Sequence, residues 1–488
     1  MLPKRGLPSG FPFLLSRGKR SWSIPKLTNT WSGLIPKSPP VSPEAEAYGT
    51  REIDFKFRGR EYTFTLSQGL FSSADIDRGT RFLLMALSRS WDQDIREGRP
   101  LPTAVLDAGS GAGVIGICAA GALLRDRALT AGPIPGEGPP ILRVRSQDRD
   151  ELARCFTRYN ALKNHIPPAV LEAHTEPLLA GPPDARWDLV LSNIPAKAGL
   201  PVLEDFACRA ASLLQPGGRV FVVVIKALAE RFRAWLEEAG CPLILETGRP
   251  EHVVFAYGPP AKEPGPDRKG PIMAGKDLMA QYPVYQRRRG AYTLEGISYT
   301  LDSIQGAADF DTPSAAVETA VKLALRLKLR DRLFSPDRRA GGGILIHEPD
   351  QGHFPLWFAR YLGERIPGGP WVFSGRNILA LEASRHNFSQ FRTVTMPEIV
   401  PAVDPALGTT TLEAGMFSFI AAFPETVPQS NRTAAYWAGI RHLLGPGGIF
   451  LMALPSPQAA FFDRKKPAGF TRLGDLKRRG YRVLAYGR

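Results

Sequence analysis

Short apolar runs alternate along most of this chain with longer stretches whose apolar positions recur every three or four residues. In the first half the apolar runs are "TAVLDAG" (Thr103–Gly109), "LRVRSQD" (Leu142–Asp148), "WDLVLSN" (Trp187–Asn193) and "GGRVFVVV" (Gly217–Val224). Each predicts a buried strand. The stretches that follow them, "GVIGICAAGALL", "ELARCFTRYNALKN", "VLEDFACRAASLL" and "AERFRAWLEEAG", have helical spacing. Regular strand–helix alternation predicts a mainly parallel sheet with helices on both faces. Such a sheet takes its ligands at the carboxyl ends of the strands, where the strand order reverses.

The pattern occurs twice. "FRGREYTFTLSQG" (Phe57–Gly69) is echoed by "LEGISYTLDSIQG" (Leu294–Gly306), with Gly59 and Gly296, Tyr62 and Tyr299, and Gly69 and Gly306 all separated by 237 positions. Each predicts a β-hairpin turning at Arg-Gly or Glu-Gly. An aspartate and an amphipathic helix come next in both halves, and "SLLQPGGRVFVVV" is matched later by "HLLGPGGIFLMAL". Ordered matches of this kind point to a tandem duplication. The Pro- and Gly-rich "GPPAKEPGPDRKGP" separates the copies. The expected fold is α/β, two tandem Rossmann-like domains at residues 46–258 and 280–488. Residues 259–279 form the linker and residues 1–45 a disordered basic tail.

At 488 residues, two domains are the natural expectation. No apolar run is long enough for a membrane span. The N-terminus lacks a secretory cleavage pattern, and Cys118, Cys155, Cys208 and Cys241 have no metal-ligand or disulfide spacing. A cytoplasmic protein with reduced thiols and no metal is expected, monomeric in the simplest case. The net charge of +15 fits a polyanionic partner, above all nucleic acid, and fits equally an arginine-rich solvated surface.

Candidate chemistry gathers at two strand ends. In "LDAGSGAGVIG", Gly109, Gly111 and Gly113 allow a tight turn and close approach of a ligand, while Gly111, Gly113 and Gly116 also fit G-x-G-x-x-G. Asp107, at the strand tip, suits a ligand that carries a cation better than a dinucleotide. The second strand end is "LSNIPAKAG", which stops at an amide, Asn193, and a proline, Pro195.

"AVLDAGSGAG" is similar to motif I of class I S-adenosylmethionine (SAM)-dependent methyltransferases. Together with "FTLSQGLFSSADIDRGTRFLLMAL" before it and "SNIPAKAG" after it, the chain resembles the small-domain methyltransferases, which include tandem-domain enzymes that methylate guanine N2 in ribosomal RNA. The resemblance implies SAM as cofactor, with Asp107 and the backbone of Gly109, Gly111 and Gly113 at its methionine end. It places Asp148 on the ribose hydroxyls and Phe71 beside the cofactor; an alternative for Asp148 is a helix N-cap before "DELARCF". It sets Asn193 and Pro195 at the reacting nitrogen. There an amide oxygen and a backbone carbonyl would orient the amino group toward the sulfonium methyl. The alternative for Asn193 is a simple turn cap.

The family's stacking aromatic after the proline is here Ala196, so another ring must replace it or the acceptor is not a flat base; Lys197 could add a phosphate contact. "RDRALTAGPIPGEGPP" reads as a surface insertion. In the second half, alignment of "GILIHEPDQGH" with motif I sets His347, Pro349, Gln351 and His353 opposite Asp107, Gly109, Gly111 and Gly113. Ala422 then stands opposite Asn193. That copy is expected to be degenerate, although in the ribosomal enzymes the degenerate copy comes first. The expected activity is methyl transfer to an amino nitrogen, with RNA as the partner. The alternatives are a small-molecule or protein acceptor, and a non-catalytic RNA-binding protein of the same fold.

Overall fold

The structure, a computed structural model, describes residues 42–71, 73–130, 141–182, 184–260, 279, 283–334, 342–365, 368–391, 395–406 and 411–488. Nearly all of the basic tail, most of the linker and the core of the insertion lie outside the described residues. Residues 38–488 form one compact unit.

The first half opens with a short helix, α1 (Pro43–Tyr48), and a hairpin, β1 (Arg51–Phe57) and β2 (Arg60–Leu66). The hairpin turns at Arg58 and Gly59, both with positive φ (46° and 77°), as the Arg-Gly pair predicts. Then follow α2 (Arg78–Arg96), β3 (Ala104–Ala108), α3 (Val114–Thr130), β4 (Arg143–Asp148), α4 (Glu151–Lys163), β5 (Leu171–Thr175) and β6 (Trp187–Asn193). The half ends with α5 (Leu200–Ala210), β7 (Leu214–Ile225), α6 (Ala229–Glu238), β8 (Leu243–Gly248) and β9 (His252–Tyr257). β3 and β6 are apolar on both faces, with Val105 and Val190 fully buried, because helices cover both sides of the sheet. From Val114 to Leu123 α3 is apolar all round because it is buried all round, with the hairpin lying over it; Tyr62 Oη donates to Cys118 O (3.4 Å).

The second half repeats this order: β10 (Gln286–Leu294), β11 (Ile297–Ile304), α7 (Ala315–Arg326), α8 (Leu329–Leu333), β12 (Gly343–His347), α9 (His353–Leu362), β13 (Trp371–Gly375), α10 (Ile378–Phe388) and β14 (Glu398–Pro401). It continues with β15 (Phe417–Ala422), α11 (Thr433–Leu443), β16 (Leu444–Pro455), α12 (Ser456–Arg464), β17 (Thr471–Arg478) and β18 (Tyr481–Gly487). The two seven-stranded sheets run β5-β4-β3-β6-β7-β9-β8 and β14-β13-β12-β15-β16-β18-β17, the same order strand for strand. In each, the first five strands are parallel and the penultimate one is antiparallel to its neighbours. Strand order reverses between β3 and β6 and between β12 and β15, which puts a switch point beside each candidate loop.

The halves join through the residues just after β4 and β13. Glu151 N–H donates to Arg376 O (2.8 Å), and Ile378 N–H donates to Arg149 O (2.9 Å). Each arginine reaches the loop that follows the other half's hairpin. Arg376 Nη2 donates to Gly69 O (2.8 Å), and a Cβ added to Gly306 would collide with the Arg149 guanidinium. The exchange turns the two switch points toward each other.

Candidate functional site

One cavity of about 980 Å³ runs along this junction. From the first half it is lined by Gly109, Gly111, Asp148, Phe71, Asn193 and Pro195. The glycine loop between β3 and α3 is held by N–H groups of Gly109 and Ser110 donating to Gln147 O (2.9 and 3.0 Å). Gly111 has φ 54° and a Cβ there would meet open space, so the loop leaves room over its backbone. Gly113 serves packing instead: a Cβ would press on Thr157 Cα at 3.0 Å, where α3 meets α4.

Asp148 ends β4 on the cavity wall. Its Oδ2 accepts from Gly111 N–H (3.0 Å) and its Oδ1 from Asp150 N–H (3.0 Å), which fixes both oxygens beside the glycine loop. The α4 N-cap is Asp150, whose side chain accepts from Leu152 N–H (2.9 Å), so Asp148 does not cap that helix. Burial pushes the Asp148 carboxyl above its ordinary range.

Asp107 stands below the wall rather than on it. It is fully buried, with Oδ2 accepting from Gly116 N–H (2.9 Å) and Ser146 Oγ (3.2 Å). Its Oδ1 has no hydrogen-bond partner, and burial raises the carboxyl to about 7. The direct contact expected from Asp107 to a cofactor ammonium is therefore not offered from the cavity surface. An orphaned carboxylate oxygen beneath an open glycine loop nevertheless fits a cationic cofactor seated above it.

Asn193 ends β6, adjacent to β3. Its Nδ2 donates to Asp77 Oδ1 (3.0 Å) and Thr80 Oγ1 (2.9 Å). A carboxylate only accepts, so the amide nitrogen must face Asp77, which leaves the amide oxygen to the other side of a side chain that lines the cavity. Asp77 also caps α2, accepting from Thr80 N–H (2.9 Å). Sequence reading noted that aspartate and passed over its second task; the Asp77-x-x-Thr80 cap was the available signal. Pro195 lines the cavity, and its carbonyl accepts from Ala198 N–H (2.9 Å) to close the turn. Phe71 is 53% exposed in the same cavity, with Lys197 Nζ 5.9 Å above its ring.

The second copy needs a register correction of one residue. Gly109 N–H bonds to Gln147 O as Glu348 N–H bonds to Ser374 O, and Gly113 N–H to Ser110 O as Gly352 N–H to Pro349 O. A repeated asparagine settles it. Asn160 Nδ2 donates to Ala112 O (2.9 Å) and Thr65 O (3.0 Å), while Asn387 Nδ2 donates to Gln351 O (2.9 Å) and Asp302 O (3.0 Å). Hence Glu348, Asp350 and Gly352 stand opposite Gly109, Gly111 and Gly113, and Ile346, not His347, opposes Asp107. Gly375 opposes Asp148. His347 pairs with Ala422 as Ala108 pairs with Ser192, which sets Phe423, not Ala422, opposite Asn193. The expectation erred because the loop has no periodicity to fix its register.

The correction explains the strain in that loop. Glu348 (φ 55°) and Asp350 (φ 48°) keep the left-handed backbone of the glycines they replace, at a cost of about 1–3 kcal/mol each. Their side chains also fill the cradle. Asp350 accepts from Ala308 N–H (3.1 Å) and Asp309 N–H (2.7 Å), and Gln351 Oε1 accepts from Ile304 N–H (3.0 Å). Glu348 Oε1 accepts from Arg376 N–H (2.9 Å), and its other oxygen would meet any Cβ placed at Gly375.

The model of the family described as "methyltransferase small domain" matches residues 61–130, from β2 through the glycine loop into α3. That match makes the chain a SAM-dependent methyltransferase with SAM as its cofactor. The protein YbxB of Bacillus subtilis (strain 168) is 26% identical over 173 residues, 35% of this chain and 73% of that protein. The 16S rRNA N2 G1207 methyltransferase RsmC of T. thermophilus, solved in complex with AdoMet and guanosine, shares the fold of both halves. It is 19% identical, with a TM-score of 0.54, over 91% of this chain and 99% of that one. Among the described residues no helix is long and apolar enough to cross a membrane, and no cluster of His, Cys, Asp and Glu could hold a metal ion. None of the four cysteines of this methyltransferase is in a disulfide.

Proposed function

We propose that this methyltransferase transfers a methyl group to the exocyclic amino nitrogen of a base in RNA, ribosomal RNA first, using the site in residues 46–258. The orientation of Asn193 is the observation that supports this most directly. Asp77 and Thr80 hold its amide nitrogen, so its oxygen is preset to accept a hydrogen bond from an amino group entering the cavity. That bond would hold the nitrogen lone pair in line for attack. Bound SAM supplies an electrophilic methyl group on a sulfonium. Gly109, Gly111 and Asp148 would hold it, with the buried carboxyl of Asp107 beneath. Pro195 would shape the turn beside the acceptor.

The exposed Phe71 ring offers a flat face in the same cavity. It would replace the aromatic that the sequence lacks at Ala196, and stacking of this kind is worth about 1–3 kcal/mol per base. Lys197, above that ring, suits a nearby phosphate. The guanosine bound by RsmC and the net charge of +15 are in keeping with a nucleic-acid acceptor.

Nucleoside mass spectrometry of RNA from cells with and without the gene tests the proposal. One N-methylated nucleoside should disappear from the deletion strain and return with the wild-type gene but not with Asn193→Ala. An unchanged nucleoside profile would turn the search to a protein or small-molecule acceptor.

A further inference from the structure

Arg376 belongs to the half without a cofactor cradle, yet its guanidinium is spent on the other half. It is buried, at 6% exposure. Nε donates to Asp150 Oδ1 (3.1 Å) and Nη2 to Asp150 Oδ2 (2.6 Å), a bidentate pair, and Nη2 also donates to Gly69 O (2.8 Å). Nη1 makes no hydrogen bond and lies 3.9 Å from Glu425. Asp150 is the residue whose N–H bonds to Asp148 Oδ1, and Gly69 lies two residues before Phe71. One side chain therefore ties the Asp148–Asp150 turn to the loop that carries Phe71, along the cavity wall. Within the first half, the Asp150 carboxylate and the Gly69 carbonyl are both acceptors and cannot bond to each other; a donor must come from elsewhere.

We propose that Arg376 is a positioning residue for SAM binding: the second half completes the first half's cofactor site in cis, and this is why a copy with a filled cradle is retained. The proposal rests on the assignment of SAM to the Gly109–Asp148 site. Arginine suits the task better than lysine, because its planar fork can satisfy a carboxylate and a carbonyl together.

The test uses the full chain and calorimetric SAM affinity, with thermal unfolding alongside. Arg376→Met should weaken SAM binding about tenfold, within the range of coupling between linked groups. Arg376→Lys should recover part of the loss. Arg432→Met is the control. Arg432 pairs with Asp404 (2.8 Å), which also accepts from Tyr48 Oη (3.0 Å) across the same junction, and none of these three residues lines the cavity. It should lower the unfolding temperature and leave SAM affinity unchanged. Equal losses of affinity in Arg376→Met and Arg432→Met would mean general loosening and overturn the positioning role. Asp148→Ala separates the two levels. If it abolishes binding while Arg376→Met binds normally, this inference alone fails; if neither weakens binding, the cofactor assignment fails with it.

Discussion

The two halves have the same strand order, the same hairpin turn and the same left-handed loop after their first sheet strand, but they differ in the side chains at those strand ends. In the first half the left-handed positions of that loop are glycines, and the space above Gly111 is open. In the second, Glu348 and Asp350 adopt the same backbone and fill the space with carboxylates. Asp148 is replaced by Gly375 and Asn193 by Phe423, which packs on Phe354 with ring centroids 4.9 Å apart. The contrast teaches that burial and backbone hydrogen bonding preserve a loop's conformation, whereas an open cradle persists only where side chains stay out of it. Fold and site are separable properties of one architecture.

The largest expected effect comes from exchanging the two loops' roles. The full chain should bind one SAM by calorimetry. Gly111→Val places a branched side chain in the open space above a backbone at φ 54° and should abolish binding. Asp350→Ala, at the equivalent position, should leave one SAM bound. A stoichiometry of two, falling to one in Gly111→Val, would make the second loop a working variant.

A smaller loss is expected at the acceptor amide. Asn193→Ala should keep SAM affinity and lower kcat by about 10²-fold or more, as loss of an aligned polar group does. Asp77→Ser, which can still cap α2 but does not reach Asn193, should lower kcat less, by about tenfold, with helix content unchanged. Wild-type turnover in Asn193→Ala would reduce the amide to a turn cap.

The smallest effect sharpens the second half. Burial raises the Glu348 carboxyl from 4.5 to about 8. Between those values the unfolded chain has released the proton and the folded chain keeps it, so stability falls as pH rises through that window. Glu348→Gln removes this dependence while keeping an acceptor for Arg376 N–H. Its advantage in unfolding temperature should be absent at pH 4 and grow to a plateau above pH 8, at most about 2–4 °C per kcal/mol recovered. A constant difference across pH would mean that Glu348 is not neutral in the fold.

Much of the site was legible because it is local. The glycine loop, the strand that stops at Asn193 and the twin hairpins announce themselves within a few residues. The register of the second loop was not legible, since "HEPDQGH" has neither glycine spacing nor periodicity; hydrogen bonds from Asn387 and Ser374 decide it. Asp107 looked like a surface ligand because it ends a strand, and only packing put Gly116 and Ser146 around it. Strands β5, β8 and β9 escaped the apolar pattern. β5 and β8 lie at the two edges of their sheet and are half exposed, while β9 is buried but runs opposite to its neighbours.

By itself the sequence determined the repeated strand–helix order and the place of the glycine loop, because periodicity and glycine placement act over one or two turns of chain. Tertiary structure decided which acids face the cavity, how the Asn193 amide is turned and where Arg376 goes. Asp77 and Asn193 are 116 residues apart, and Gly69 and Arg376 are 307 apart. A donor and an acceptor that distant leave no mark on either local pattern, and only closure of the chain brings them within hydrogen-bond reach.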